Sequence, residues 1–278
     1  MLVLIRGAGD LATGIACRLF RSGFSVIMTD QAIPTAIRHT VAFSSAVNTG
    51  EVTVEGIRAR LANDGEEALS IIRAGNVAVL VDPEGLSIPV LKPDAVVDAI
   101  LAKTNLGTRL DHAPIVIGVG PGFTVNVDCH AAIETKRGHD LGRVLYEGAP
   151  EPNTGVPGEV GGATYERLIR TPVEGNFKPI AVIGDTVEAG QTIAFVGDTP
   201  ITANIRGTLR GLLPEGTPVY KGMKSGDVDP RCCISHCYTI SDKARAVGGG
   251  VLEAILNLSN NLSKQNEAQN AMTHRKNL

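Results

Sequence analysis

The chain has 278 residues, a length that suits two domains of ordinary size. Its formal net charge of −3 excludes a broad basic surface of the kind that neutralises nucleic-acid phosphates, so we expect no nucleic-acid partner. Its five cysteines are odd in number, no apolar run approaches the roughly 18 residues of a membrane-spanning helix, and the first residues lack a signal-peptide pattern. We therefore expect a soluble, cytoplasmic protein with reduced thiols and no membrane partner.

Residues 2–30 predict a strand, a glycine turn, a helix and a second strand. Within the turn, Gly7 permits a tight bend, Gly9 lets a pyrophosphate approach the backbone, and the small Ala12 allows close helix–strand packing. Asp30 ends the second strand, where a carboxylate can bind ribose hydroxyls, and no arginine follows it directly to favour a 2′-phosphate. The pattern favours NAD or another adenosine-containing ligand.

Asp10 complicates this interpretation of the turn, because it lies at the predicted helix start. A carboxylate there can cap the helix or interact with its dipole, and it would then compete with a ligand phosphate. The alternative is a βαβ crossover whose glycines only turn the chain.

Alternation of strands and helices is predicted to continue to about residue 120. We expect a strand and hairpin over residues 41–54, a helix over 66–74 before the strand AVLVD, and a helix over 94–103 before the strand PIVIGVG. Low aromatic content (4%) and the absence of Trp indicate a core of aliphatic residues, as in buried parallel sheets. Ligands of such sheets bind beyond the carboxyl ends of the strands.

A second glycine turn, Gly120-Pro121-Gly122, follows PIVIGVG and leads into a charged cluster. The cluster's candidate catalytic residues combine carboxylate, imidazole and guanidinium groups that can serve as base, acid and anion clamp; they are Asp128, His130, Glu134, Arg137 and His139. If the segment is extended, His130 and Glu134 share one face. The alternative is a solvated strand edge with ion pairs among its charged residues.

An internal repeat occupies the next part of the chain, since residues 171–190 align without gaps on residues 203–222 and share glycines and a G-x-x-V-x-x-G phrase. The pattern resembles the barrel-sandwich hybrid of biotinyl and lipoyl domains. The turn at 197–200, where a carrier domain presents its lysine, has none, so we expect no attached biotin or lipoate.

Near the C-terminus, Cys232, Cys233, His236 and Cys237 lack the paired spacing of a structural zinc site, so no metal is predicted. We expect a helix from about residue 242 to 262, and a disordered tail over 263–278.

Four phrases together resemble the YqeB family over residues 1 to about 260: IRGAGDLATG, VGPGFTVNVDCHAAIETKRGHDLGRV, PNTGVPG and ISDKARAVGGGVLEAIL. This family comprises accessory proteins of the selenium-dependent molybdenum hydroxylase system and is distantly similar to the XdhC/CoxF maturation factors. The resemblance implies a nucleotide or molybdopterin-nucleotide ligand and a client molybdenum hydroxylase. Carried over by motif, its site positions are Gly7, Gly9, Asp10, Gly120, Pro121, Gly122, Asp128, His130, Glu134, Arg137, Gly138 and His139.

We therefore predict an α/β fold with an N-terminal Rossmann-like parallel sheet (1–145), a smaller all-β barrel-sandwich-hybrid-like domain (165–230), and a C-terminal segment and helix (231–262). The predicted function is maturation of a molybdenum hydroxylase through a phosphate-bearing ligand. Two alternatives remain open: an NAD-dependent oxidoreductase with His130 or His139 as proton donor, and a nucleotide-binding scaffold without chemistry.

Overall fold

The computed structural model describes the backbone of residues 1–276 and the side chains of residues 1–264. The first half of the chain forms one nine-stranded sheet. Its strands in chain order are β1 (Leu2–Arg6), β2 (Ser25–Asp30), β3 (Glu51–Val54), β4 (Ile57–Ala62), β5 (Val77–Val81), β6 (Ala95–Asp98), β7 (Ile115–Val119), β8 (Ala131–Ile133) and β9 (Val144–Leu145). They lie in the order β3-β4-β5-β2-β1-β6-β7-β8-β9.

The helices are few in the described part of the chain. They are α1 (Asp10–Arg21), α2 (Ala46–Thr49), α3 (Gly65–Arg73), α4 (Ile88–Leu91) and α5 (Asp242–Lys276). The predicted strand–turn–helix–strand unit is confirmed, since α1 connects β1 to β2 and these two strands pair in parallel. The helix predicted at 66–74 and the strands AVLVD and PIVIGVG are also confirmed, as α3, β5 and β7.

The prediction of a Rossmann-like parallel sheet is wrong, because the sheet is mixed. The inner strands pair in parallel, but β3 is antiparallel to β4 at one edge, and β9 is antiparallel to β8 at the other. The hairpin predicted within 41–54 instead joins β3 to β4, and helical turns occupy residues 43–49. At its turn, Glu55 and Gly56 both have positive φ angles, a conformation that supports a two-residue hairpin.

The helix predicted at 94–103 is also wrong. Ala95–Asp98 form β6, whose four residues are all buried between β1 and β7. A short apolar run that is buried on both faces carries no period that separates strand from helix. Because β6 is a strand, β6 and β7 are connected without an α-helix.

The second half of the chain forms two four-stranded antiparallel sheets rather than the predicted barrel-sandwich-hybrid-like domain, and that part of the fold prediction is wrong as well. The strands are β10 (Leu168–Arg170), β11 (Gly175–Pro179), β12 (Thr186–Val187), β13 (Thr192–Val196), β14 (Thr199–Thr202), β15 (Gly207–Leu212), β16 (Pro218–Val219) and β17 (Lys224–Asp229). One sheet has the order β10-β17-β15-β12 and the other β14-β13-β11-β16.

The repeat in the sequence corresponds to strand pairing between its copies. The first copy contributes β11 and β12, the second β15 and β16, and β11 pairs with β16 while β12 pairs with β15. Apolar side chains from both sheets, including Phe177, Ile193, Leu209 and Val228, form their shared core.

Helix α5 returns from the antiparallel sheets to the nine-stranded sheet and lies against α1. Its start agrees with the predicted one. The helix extends to Lys276, past its predicted end at about residue 262, so it includes most of the segment predicted as a disordered tail, 263–278. The domain boundaries stay predictions. Within residues 1–276, no helix combines the length and the apolar character needed to cross a bilayer.

Candidate functional site

A cavity of about 500 Å³ lies where the first turns of α1 and α5 meet strands β15 and β17 and the loop at residues 151–160. We call it the cationic cavity because seven cationic side chains and three carboxylates line it. The cations are Arg38, Lys136, Arg137, Arg167, Arg210, Lys224 and Lys243, and the carboxylates are Asp10, Glu151 and Asp227. The chain as a whole carries a net charge of −3, so this excess of positive charge is local.

Five of the seven cations have carboxylate partners. The pairs are Arg38–Asp10, Lys136–Glu151, Arg137–Asp242, Arg167–Asp227 and Arg210–Asp227. In one of these pairs, Arg137 donates to both carboxylate oxygens of Asp242, at 2.7 and 2.8 Å. In another, Arg38 Nη1 lies 3.2 Å from Asp10 Oδ2. Paired arginines of this kind are oriented before any ligand arrives.

Lys224 and Lys243 are the exceptions, because neither makes an ion pair or a side-chain hydrogen bond within the residues whose side chains are described. The Lys224 side chain is open to the water of the cavity, yet the surrounding walls displace bulk solvent and lower its pKa, against the opposing effects of Asp227 and Asp10. Burial also lowers the pKa of the half-buried Lys243; Arg137 and Lys224 add to that effect, and the carboxylates of Asp10 and Glu134 oppose it. The two ammonium groups are therefore poorly compensated.

Lys243 occupies the first turn of α5, where a cation opposes the helix dipole. Helix α1 also points its first turn at the cavity through Asp10 and Leu11. The two helices lie very close together, since a Cβ atom added at Gly14 of α1 would lie 2.6 Å from Cβ of Ala244. Two helix N-termini thus converge on the cavity, and both favour a negatively charged ligand.

The wall opposite the helices is a buried ion network on β15 and β17. Asp227 is 1% exposed and accepts hydrogen bonds from Arg167 and Arg210, the latter from Nε at 3.0 Å. Asp229, also buried, accepts from Arg231 and Arg210, and these bonds outweigh its burial and lower its pKa to about 2. The network keeps the Asp229 carboxylate charged, and Asp227 fixes the Arg210 guanidinium at the cavity surface.

A second cavity, of about 350 Å³, lies beside the first glycine turn, and we call it the glycine crevice. Gly7 has a φ of +98°, and a Cβ atom there would lie 2.8 Å from the Ala99 carbonyl oxygen, so glycine is required at this position. Gly9 is the N-cap of α1 and faces open space. Ala12 and Asp10 also line the crevice.

Asp30 lines the glycine crevice from the end of β2. Its carboxylate accepts hydrogen bonds from the backbone N–H groups of Ala8, at 2.9 Å, and Gln31, at 2.8 Å. Burial raises the Asp30 pKa, and these two bonds oppose the shift. The carboxylate is thus oriented towards the turn at the crevice.

The second predicted turn is a close-packed loop. Gly120 and Gly122 have φ angles of +86° and +105°, and a Cβ at either would come within 3 Å of Thr135 or Thr104. Pro121 lines the cationic cavity.

The predicted charged cluster is dispersed. Among its five candidate catalytic residues, Arg137 is the one that lines the cationic cavity within the described part of the chain. Glu134 is buried and its carboxylate accepts three backbone N–H bonds, from Thr135, Lys136 and Glu151, which tie together the chain at the cavity's edge.

The other three members of the cluster lie elsewhere. Asp128 accepts from the backbone of Thr124 at 2.8 Å and from the Asn105 amide at 2.9 Å. His130 Nδ1 accepts the backbone N–H of Val116 at 2.9 Å, and burial lowers the His130 pKa. His139 is exposed on the loop after β8. The strand carrying this segment therefore does not bring His130 and Glu134 into one cavity.

No group of three or more His, Cys, Asp or Glu side chains in the described residues is arranged to hold a metal ion. Of the C-terminal cysteines, Cys237 is buried and donates to the Leu209 carbonyl, whereas Cys232 is exposed with a φ of +54°.

Sequence reasoning missed most of the cationic cavity. Arg38, Arg167, Arg210 and Lys224 are far apart in the chain and no local motif contains them. Lys243 could have been found from the sequence. A lysine directly after the predicted helix start is unfavourable for the helix, and this suggests a role in binding. The phrase PNTGVPG likewise forms part of the cavity rim.

No protein-family model matches the chain. Over 257 residues, 92% of its length, the chain is 52% identical to "Uncharacterized protein YqeB" of Escherichia coli (strain K12), and it spans about half, 48%, of that protein.

Two solved structures are weakly similar to the fold. An aspartoacylase family protein from Mesorhizobium loti has a TM-score of 0.27 and 13% identity, with 82% of this chain and 84% of that chain covered. A succinylglutamate desuccinylase/aspartoacylase from Rhodobacter sphaeroides has a TM-score of 0.24 and 16% identity, with 82% and 85% covered. Scores this low carry no functional argument.

Proposed function

We propose that the chain, which is similar to a YqeB protein over 92% of its length, binds a phosphate-bearing small molecule in the cationic cavity and acts as an accessory factor in maturing a selenium-dependent molybdenum hydroxylase. The binding step rests on one observation: Lys224 and Lys243 face the cavity without a carboxylate partner in the described residues. The accessory role rests on the motifs that the chain has in common with the YqeB family.

The electrostatics of the cavity favour an anion over any neutral ligand. Removing a lysine ammonium from bulk water costs free energy unless a counter-charge replaces the lost solvation, and the lowered pKa values of Lys224 and Lys243 reflect that cost. A phosphate group placed between them would supply the missing charge and accept hydrogen bonds from both. Arg137, already fixed by Asp242, lines the same cavity.

Direct titration of the full chain with pyrophosphate, followed by calorimetry, tests the binding step. We expect Lys224→Met and Lys243→Met each to weaken pyrophosphate binding by about tenfold or more, the value of a charge-assisted hydrogen bond to phosphate. Lys221→Met is the matched control, since Lys221 is exposed and does not line the cavity. Absence of pyrophosphate binding to the unmodified protein, or equal affinity in all three variants, would contradict the proposal.

The accessory role requires a second readout, in the cell. We expect a strain lacking this protein to lose activity of a selenium-dependent molybdenum hydroxylase, and expression of the unmodified chain to restore it. The Lys224→Met and Lys243→Met variants should fail to restore activity at equal protein levels, whereas Lys221→Met should succeed. Full hydroxylase activity in the deletion strain would show that the protein has another role.

A further inference from the structure

We infer that one ligand spans both cavities, with an uncharged nucleoside end in the glycine crevice and a diphosphate in the cationic cavity. The ligand class is therefore a nucleoside diphosphate or a compound built on one. This inference rests on the proposed function and adds to it the chemical class of the ligand and its orientation.

The two cavities adjoin each other at the first turn of α1. Asp10 and Leu11 line both of them, so a ligand can pass from one to the other across the helix N-terminus. No side chain caps α1, and its N-cap residue, Gly9, faces open space. The free backbone N–H groups of an uncapped first turn are hydrogen-bond donors for a phosphate that lies across it.

Charge separates the two cavities sharply. Seven Lys and Arg side chains line the cationic cavity, whereas no Lys, Arg or His lines the glycine crevice in the described part of the chain. The crevice is lined instead by glycine, small polar groups and aliphatic side chains such as Ile100, Leu101 and Leu106. Such a surface suits a flat, uncharged base, and a ligand that fits both cavities carries its negative charge at one end.

Asp30 is placed to bind the sugar that would lie between the base and the diphosphate. Its carboxylate lines the crevice, two backbone N–H bonds hold it in place, and each oxygen retains acceptor capacity. A ribose diol is a pair of hydroxyl donors that matches a fixed carboxylate. Repulsion between Asp30 and a phosphate also disfavours the reversed orientation, with phosphate in the crevice.

Calorimetric titration of the full chain with pyrophosphate and with ADP tests this orientation. We expect ADP to bind with one-to-one stoichiometry and about tenfold or more tightly than pyrophosphate. Asp30→Asn should weaken ADP binding by about tenfold and leave pyrophosphate binding unchanged. Glu84→Gln is the matched control, because Glu84 is an exposed carboxylate next to the crevice residue Pro83 and does not line the crevice.

The outcomes separate the two proposals. If pyrophosphate binds through Lys224 and Lys243 but ADP binds no more tightly, or if Asp30→Asn has no effect on ADP, the spanning ligand is wrong and the anion site stands. If ADP binds at two independent sites, the spanning ligand is also wrong. If pyrophosphate does not bind at all, the proposed function itself fails.

Discussion

The glycine crevice and the cationic cavity adjoin the same helix turn, but they are built in different ways. The crevice turn is assembled from contiguous sequence, since β1, the turn and α1 follow one another and Asp30 ends the next strand. The cationic cavity draws its residues from α1, the loops after β2 and β8, the loop at 151–160, the antiparallel strands and α5. A local motif is visible in the sequence, whereas a convergence of charges from distant segments is not.

The largest change in unfolding free energy is expected at the buried wall of the cationic cavity. Asp227→Ala leaves Arg167 and Arg210 without a shared carboxylate, and breaking a buried pair in this way typically costs about 3–5 kcal/mol of unfolding free energy. Urea denaturation measures this loss of unfolding free energy. Asp198→Ala, at an exposed turn of the same antiparallel part, should change the unfolding free energy by less than about 0.5 kcal/mol. A loss below about 1 kcal/mol for Asp227→Ala would mean that the network is not structural.

Within the glycine crevice, two glycines of one motif are expected to differ. Gly7→Ala should lower the unfolding free energy by about 2 kcal/mol or more, because φ is +98° and the Ala99 carbonyl obstructs a Cβ atom. Gly9→Ala should cost little, since its φ of −66° suits any residue and its surroundings are open. Thermal or urea unfolding of the two variants side by side measures the difference, and equal losses would contradict it.

Substitution of Glu134 tests whether this member of the predicted charged cluster stabilises the fold or binds the ligand. Glu134→Gln weakens three backbone contacts, so we expect a loss of about 1–3 kcal/mol in unfolding free energy. Pyrophosphate affinity should stay within about threefold of the unmodified protein. The opposite pattern, unchanged stability with lost affinity, would restore Glu134 to the functional site.

The smallest effect is expected from pH. Lys224 and Lys243 have lowered pKa values in the free protein, so both lose their protons earlier than an ordinary lysine as the pH rises. Anion binding requires the charged form, and affinity should therefore fall with rising pH below the ordinary lysine value of about 10.4. Sulfate, which stays fully ionised over this range, is the suitable probe. A flat profile for the unmodified protein, or the same slope in a Lys224→Met, Lys243→Met double variant, would contradict this explanation.

Prediction from sequence succeeded where local physics decides the structure. The first glycine turn, α3 and the start of α5 all follow from short-range patterns: positive-φ glycines, helical spacing and a polar helix start. It failed at β6, because four apolar residues buried on both faces fit strand or helix equally well until their neighbours in the sheet are known.

The candidate site divides along the same line. Gly9, Asp10 and Asp30 could be assigned to one crevice from spacing alone. Lys224 and Lys243 could not be joined to it, because their proximity depends on how β17 and α5 are placed after the chain has formed two further sheets. Glu134 illustrates the converse error, since a carboxylate in a charge-rich stretch bonds the backbone in this structure.

A crystal structure of the full chain with bound ADP tests the central claim most directly. We predict that the diphosphate lies within hydrogen-bond distance of the Lys224 and Lys243 ammonium groups, that it crosses the first turn of α1, and that the ribose lies against Asp30. Density for the diphosphate in the glycine crevice, or for ADP outside both cavities, would contradict the account.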